Sequence, residues 1–167
     1  VTVTSANGCT SSSSAVITVI PNPTINLVNQ INVDCNGNAT GLIEVNASGG
    51  VGPYGYSIDG INYQSSGLFD NLYAANYFIS VVDSSTGCSS SQLFTVSQPN
   101  SIISSFIQTD LLCYDYPIGA IDITVNGGVA PYTYDWSNGS TDEDIYNLVA
   151  GFYTVTITDA NGCEYIS

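Results

Sequence analysis

The side chains of this sequence that could do chemistry are carboxylates, thiols and phenols. There are 14 Asp plus Glu, 5 Cys and 12 Tyr, but no Lys, no Arg and no His. A Ser-His-Asp triad is therefore impossible, as is its Ser-Lys variant, and Schiff-base lysines and arginine clamps are missing too. Paired carboxylates remain, the equipment of a glycosidase. The one dense group is Asp142-Glu143-Asp144. Clustered carboxylate oxygens also suit a hard cation, which makes these three residues a Ca²⁺ candidate. Against the cation stands Ser65-Ser66-Gly67 at the comparable place in the first half of the chain. The plainer expectation is a solvated loop between strands. No catalytic residue, no enzyme and no resident cofactor are expected.

The charge balance narrows the partners. A net charge of −14 with no cationic side chain leaves nothing to displace counterions from a phosphate backbone, so nucleic acid is excluded. Docking on anionic lipid is disfavoured for the same reason. The chain is nevertheless 44% hydrophobic, enough to bury a core. No run of 18 apolar residues is present to span a membrane as a helix.

The thiols belong to an internal repeat. Cys35 recurs as Cys113, an offset of 78 (113 − 35), and at that offset Gly41 matches Gly119 and Pro53-Tyr54 matches Pro131-Tyr132. Gly49-Gly50-Val51 matches Gly127-Gly128-Val129. With small loop shifts Asn71-Leu72 matches Asn147-Leu148, Tyr77 matches Tyr153, Asp83 matches Asp159 and Gly87-Cys88 matches Gly162-Cys163. The opening VTVTSANGC is a further copy of YTVTITDANGC at 153–163. Self-similarity at a fixed period signals repeat architecture. The expected organisation is 1–20 as the C-terminal hairpin of a preceding repeat, 21–98 as a complete repeat, and 99–167 as a second repeat truncated in its last strand. Ile20-Pro21-Asn22-Pro23 and Ser97-Gln98-Pro99 are the junctions, with proline limiting their freedom.

The elements that must position these residues are strands. Tyr153, Val155 and Ile157 alternate with threonines, and Tyr77, Ile79 and Val81 share a face in the same way. Period-two alternation punctuated by Gly49-Gly50, Asn138-Gly139 and Asn161-Gly162 describes an all-β unit with tight turns. Six or seven strands per repeat fit an Ig-like β-sandwich. In such a sandwich Leu72 and Leu148 would plug the core, and the Tyr77 and Tyr153 hydroxyls would bond back to upstream backbone. Trp136 would fall on the strand-C-like segment, where such folds often bury an aromatic. Asp83 and Asp159 are expected to cap hairpin turns.

Each full repeat owns two cysteines, so the expected disulfides are Cys35–Cys88 and Cys113–Cys163, each closing one sandwich, with Cys9 paired upstream. No CxxC pair and no His supports a metal site instead. Disulfides place the chain in an oxidising compartment.

The run from Gly127 to Cys163, with PYTYDWSNGSTDEDI, Leu148, Ala150-Gly151 and TVTITDANGC, resembles the SprB-type repeats of Bacteroidota gliding-motility and cell-surface adhesins. It is more distantly similar to PKD-type Ig-like modules. The first repeat keeps the Cys, Gly-Gly, Pro-Tyr and Leu–Tyr positions but has Ile58 for the Trp and Ala75-Asn76 for Ala-Gly. The resemblance implies export by the type IX system and display on the outer-membrane cell surface. The role it implies is adhesive: stalk repeats of a very large secreted filament for surface attachment and gliding. Implied partners are neighbouring repeats, surface polysaccharide or substratum, and the secretion and gliding machinery. The alternative is a tandem of carbohydrate-binding modules from a secreted enzyme.

Overall fold

The computed structural model describes residues 1–110 and 118–167. Every regular element among them is a strand. β1 (Thr2–Thr4) and β2 (Thr10–Ser12) pair as an isolated antiparallel hairpin whose residues are all exposed.

Unit one holds β3 (Thr24–Ile31), β4 (Gly41–Ser48), β5 (Tyr54–Ser57), β6 (Leu68–Leu72), β7 (Ala75–Asp83) and β8 (Ser89–Val96). They form two three-stranded antiparallel sheets, β3-β4-β6 and β5-β7-β8. Alternation decides which side chains meet between them. Ile25, Ile43, Val45 and Phe69 come from the first sheet, and Tyr56, Ile79, Val81, Phe94 and Val96 from the second, in one buried cluster. That is a two-layer sandwich.

Unit two repeats the plan with β9 (Ile103–Thr109), β10 (Gly119–Asn126), β11 (Thr133–Trp136), β12 (Ile145–Leu148), β13 (Val155–Thr158) and β14 (Glu164–Ile166). Its sheets are β12-β10-β9 and β11-β13-β14. Ile123, Ile145 and Leu148 face Trp136, Val155 and Ile157 across a separate core. β8 runs on through buried Phe94 and Val96. In unit two a cavity of about 220 Å³ lies against Phe106, Ile123, Trp136, Phe152 and Val155.

The loop ahead of β6 reverses the chain. Gln64 pairs with Tyr56 in an isolated antiparallel bridge, so the segment runs back up beside β5 before β6 descends. Asn71 and Asn147 adopt left-handed backbone, with φ of 54° and 55°, at the last turn of β6 and β12. Asparagine is one of the few side chains that tolerates this region.

Candidate functional site

In β7 the inward alternation Ile79, Val81 ends on Asp83, which is fully buried. A buried carboxylate must find donors. Asp83 Oδ2 accepts from the Val51 amide at 2.6 Å and the Gly52 amide at 3.2 Å, while Oδ1 accepts from Ser85 at 2.9 Å and Thr86 at 3.2 Å. The Val51 bond, foremost among these, holds its carboxyl down to about 2 against the upward push of burial. Asp159 accepts a matching set of backbone amides in unit two. Its Oδ2 accepts from Val129 at 2.9 Å, and its Oδ1 from Asn161 and Cys163, both at 2.9 Å. Each carboxylate thus caps its own hairpin turn and also ties that turn to the Gly-Gly loop. Glycine is required there: a Cβ on Gly50 would lie 2.4 Å from Asp83 Oδ2, and φ is +72°.

The tied turn carries the second cysteine of each unit. Asp83 N donates to the Cys88 carbonyl at 2.8 Å, and Asp159 N to that of Cys163 at 3.0 Å. This turn lies at the head of its unit, beside the incoming chain. The Ser90 hydroxyl donates to Pro23 O, and Gly128 N donates to Asn100 O at 2.8 Å.

The first cysteine lies at the opposite pole. Val33 N donates to Ser97 O at 2.9 Å, so the turn that follows Val33 sits beside the outgoing chain, at the tail of unit one. Asp34 shapes that turn. Its Oδ1 accepts from Thr40 Oγ1 at 2.7 Å and from the Cys35 amide at 2.6 Å. Those two bonds, Thr40's the larger, hold the Asp34 carboxyl below its ordinary range.

Tail and head meet at a covalent bond. Cys35 of unit one is disulfide-bonded to Cys163 of unit two, with a Cα–Cα distance of 5.6 Å and 128 residues of separation. Hydrogen bonds surround it. Asn161 Nδ2 donates to Asp34 O at 2.8 Å, Asn36 Nδ2 to Pro99 O at 3.0 Å, and Gly37 N to Gln98 Oε1 at 2.8 Å. A cleft of about 420 Å³ runs along this junction, edged by Cys35, Pro99, Ile102, Asp159 and Tyr165.

The expected pairing within each unit is therefore corrected. Cys35 does not bond Cys88, and Cys163 does not bond Cys113. Neither unit is closed by a disulfide of its own among the described residues; the bond joins the two units. The reason is distance. Cys88 and Ser97 flank the whole of β8, eight residues at about 3.3 Å each, or roughly 26 Å. A disulfide needs Cα atoms within about 7 Å. Cys88 is a half-buried free thiol and Cys9 an exposed one. Cys113 lies outside the described residues.

The remaining expected site residues have clear places. The Tyr77 hydroxyl donates to Tyr73 O at 3.0 Å, and the Tyr153 hydroxyl to Val149 O at 2.9 Å. Leu148 is buried and Leu72 packs against the edge of the unit-one core. Trp136 is buried in unit two, with Nε1 donating to Asp142 O at 2.9 Å.

The acidic triplet disperses. Asp144 Oδ1 accepts from the Ile123 amide at 3.0 Å, and Asp142 Oδ2 lies 3.5 Å from Ser140 Oγ. Burial, and then a hydrogen bond given to Glu143, push the Tyr134 phenol up to about 12. Among the described residues no three carboxylate, thiol or imidazole groups gather as metal ligands.

The family model of the SprB repeat matches residues 27–62 and again 105–141. Two stretches of the chain thus match the SprB repeat. SprB repeats are a non-enzymatic family of secreted, cell-surface proteins. No curated protein matches the chain. Among similar solved structures are three N-terminal domains of the bacteriophage RB49 Highly Immunogenic Outer Capsid protein (Hoc). That similarity has 16% identity and a TM-score of 0.42, and it covers 87% of this chain and 57% of that one.

Two things were missed by reading the SprB repeats as sequence. Asp83 and Asp159 as loop ties carry a signal, an acidic residue ending an apolar alternation. The Cys35–Cys163 bond carries a subtler one, in the number of chain reversals between cysteines.

Proposed function

We propose that these SprB repeats are stalk segments of a large secreted adhesin filament on the outer-membrane cell surface, serving surface attachment and gliding. The observation that supports this most is the junction: tail of one unit to head of the next, fixed by a disulfide and by hydrogen bonds to the linker at Gln98 and Pro99. A stalk transmits force and position, so what it needs is limited bending between units. A flexible linker between two beads would leave their orientation free. A covalent bond placed beside the linker gives a second tether and removes most of that freedom. The uniformly acidic chain resists side-by-side association of filaments. It offers no cleavage site to trypsin-like proteases, because it has neither Lys nor Arg. Export by the type IX system and contact with the gliding machinery and with substratum polysaccharide complete this reading.

Small-angle scattering of the full chain with and without reductant tests it. The stalk reading expects a narrow end-to-end distribution that broadens on reduction. Identical profiles in both states would overturn it. Saturable, stoichiometric binding on a polysaccharide panel would favour the carbohydrate-module alternative.

A further inference from the structure

Cys88 stands to unit one as Cys163 stands to unit two. Both follow a glycine with positive φ, +74° at Gly87 and +82° at Gly162. Gly87 N donates to Asp83 O at 2.8 Å, as Gly162 N does to Asp159 O at 3.0 Å. Both turns are clamped to the Gly-Gly loop by the buried aspartate, through Val51 in one unit and Val129 in the other. Both sit at the head of their unit. In one case the structure shows what that thiol does: Cys163 is bonded to the tail cysteine of the unit ahead. Cys88 is the same device with its thiol free and half-buried.

We propose that Cys88 forms a disulfide with the Cys35-type cysteine of a repeat standing ahead of Pro21, so that the repeats are bonded in series, each tail to the next head. The hairpin β1–β2 carries the head turn a third time. Ser5 N donates to Cys9 O at 2.8 Å and Gly8 N to Ser5 O at 2.9 Å, with Ser5 in the place of the aspartate. The proposal separates the two classes of cysteine by role: Cys35 and its counterparts face forward, and Cys9, Cys88 and Cys163 face back. Forming each link joins two sulfurs and releases two protons and two electrons. A small-molecule disulfide accepts both and becomes two thiols, or the disulfide of an oxidoreductase accepts both and becomes a dithiol.

The inference rests on the array part of the stalk reading and not on adhesion, so an adhesion assay that fails leaves it standing. The test is the full chain with one extra copy of residues 21–98 inserted after Gln98, which places Gln98 before Pro21 and keeps the native Gln-Pro junction. Ser89→Ala in the inserted copy marks its Cys88 peptide by mass; Ser89 is exposed. The chain is oxidised with glutathione disulfide, alkylated, digested at Asp and Glu without reduction, and mapped. The expected result is a cross-link from Cys35 of the first copy to the marked Cys88, alongside Cys35 of the inserted copy to Cys163. In a second variant, Cys35→Ser in the first copy alone should leave the marked Cys88 alkylated. A marked Cys88 that is alkylated without that substitution, or that is bonded within its own copy, overturns the proposal.

Discussion

Substituting Cys35, in unit one, should destabilise unit two. When unit two unfolds while unit one stays folded, the disulfide holds residues 98 to 163 as a closed loop. One end is fixed at the linker and the other at Cys35, both on the tail of unit one. That loop has 65 residues (163 − 98). In the chain-entropy treatment its closure removes about 15 cal/mol/K from the unfolded state, or about 4 kcal/mol at 25 °C. For a unit of this size each kcal/mol moves the melting temperature by about 4–8 °C, so the ceiling is a fall of about 15–30 °C. The readout is selective because Trp136 is the only tryptophan and is buried in the core of unit two. Thermal unfolding of Cys35→Ser, followed by tryptophan fluorescence, should show the fall, and reducing the parent chain should reproduce it. The same reasoning applied to the 63 residues from Cys35 to Gln98 (98 − 35) gives unit one a similar loss. If the tryptophan transition is unmoved in Cys35→Ser, the bond does not couple the units, and the reasoning fails.

Other outcomes follow from the head turns and cores. Gly128→Ala should cost about 2–4 kcal/mol, from left-handed backbone and overpacking, because its Cβ would lie 2.7 Å from Ile102 and 2.9 Å from Asp159. Gly162→Ala, with open space around it, should cost only about 1–2 kcal/mol in the same fluorescence melt. Tyr153→Phe removes the bond to Val149 O and should lower unit-two stability by about 1 kcal/mol, seen as an earlier urea midpoint. The Asp83 carboxyl is held at about 2 in the folded chain and sits near 3.9 in an unfolded one. Its contribution is therefore present above about pH 4 and is lost as pH falls from about 4 to 2. Hydrogen exchange of β7 and β8 should show unit one loosening over that window, and Asp83→Asn should flatten the response.

The strands, the repeat and the core were legible because they rest on local pattern. Alternation at Ile79, Val81, Val155 and Ile157 names the inward face wherever the chain goes. The Leu148-to-Tyr153 corner is likewise local, since the hydroxyl bonds a carbonyl four residues back. The cysteine partners were not legible, because pairing depends on which pole each loop occupies. Poles alternate with each chain reversal. Between Cys35 and Cys88 the reversals count β4, β5, β6, β7 and the short stretch around Gln64, which among the described residues is held in the ladder by a single bridge to Tyr56. A count of six strands omits that stretch and puts the two cysteines at one pole; a count of seven separates them. The difference between an internal staple and a link between units thus rests on one isolated bridge. The acidic triplet misleads differently: Asp144 is occupied by the Ile123 amide, and among the described residues no three ligand groups gather.

The central claim is that two sandwiches are joined head to tail by a covalent bond at the junction. Digestion of the unreduced, alkylated chain at acidic residues, followed by mass spectrometry, tests it most directly. The account predicts one cross-linked species joining the Cys35 and Cys163 peptides, with Cys9 and Cys88 alkylated. A Cys35–Cys88 cross-link, or free thiol at Cys163, would contradict it.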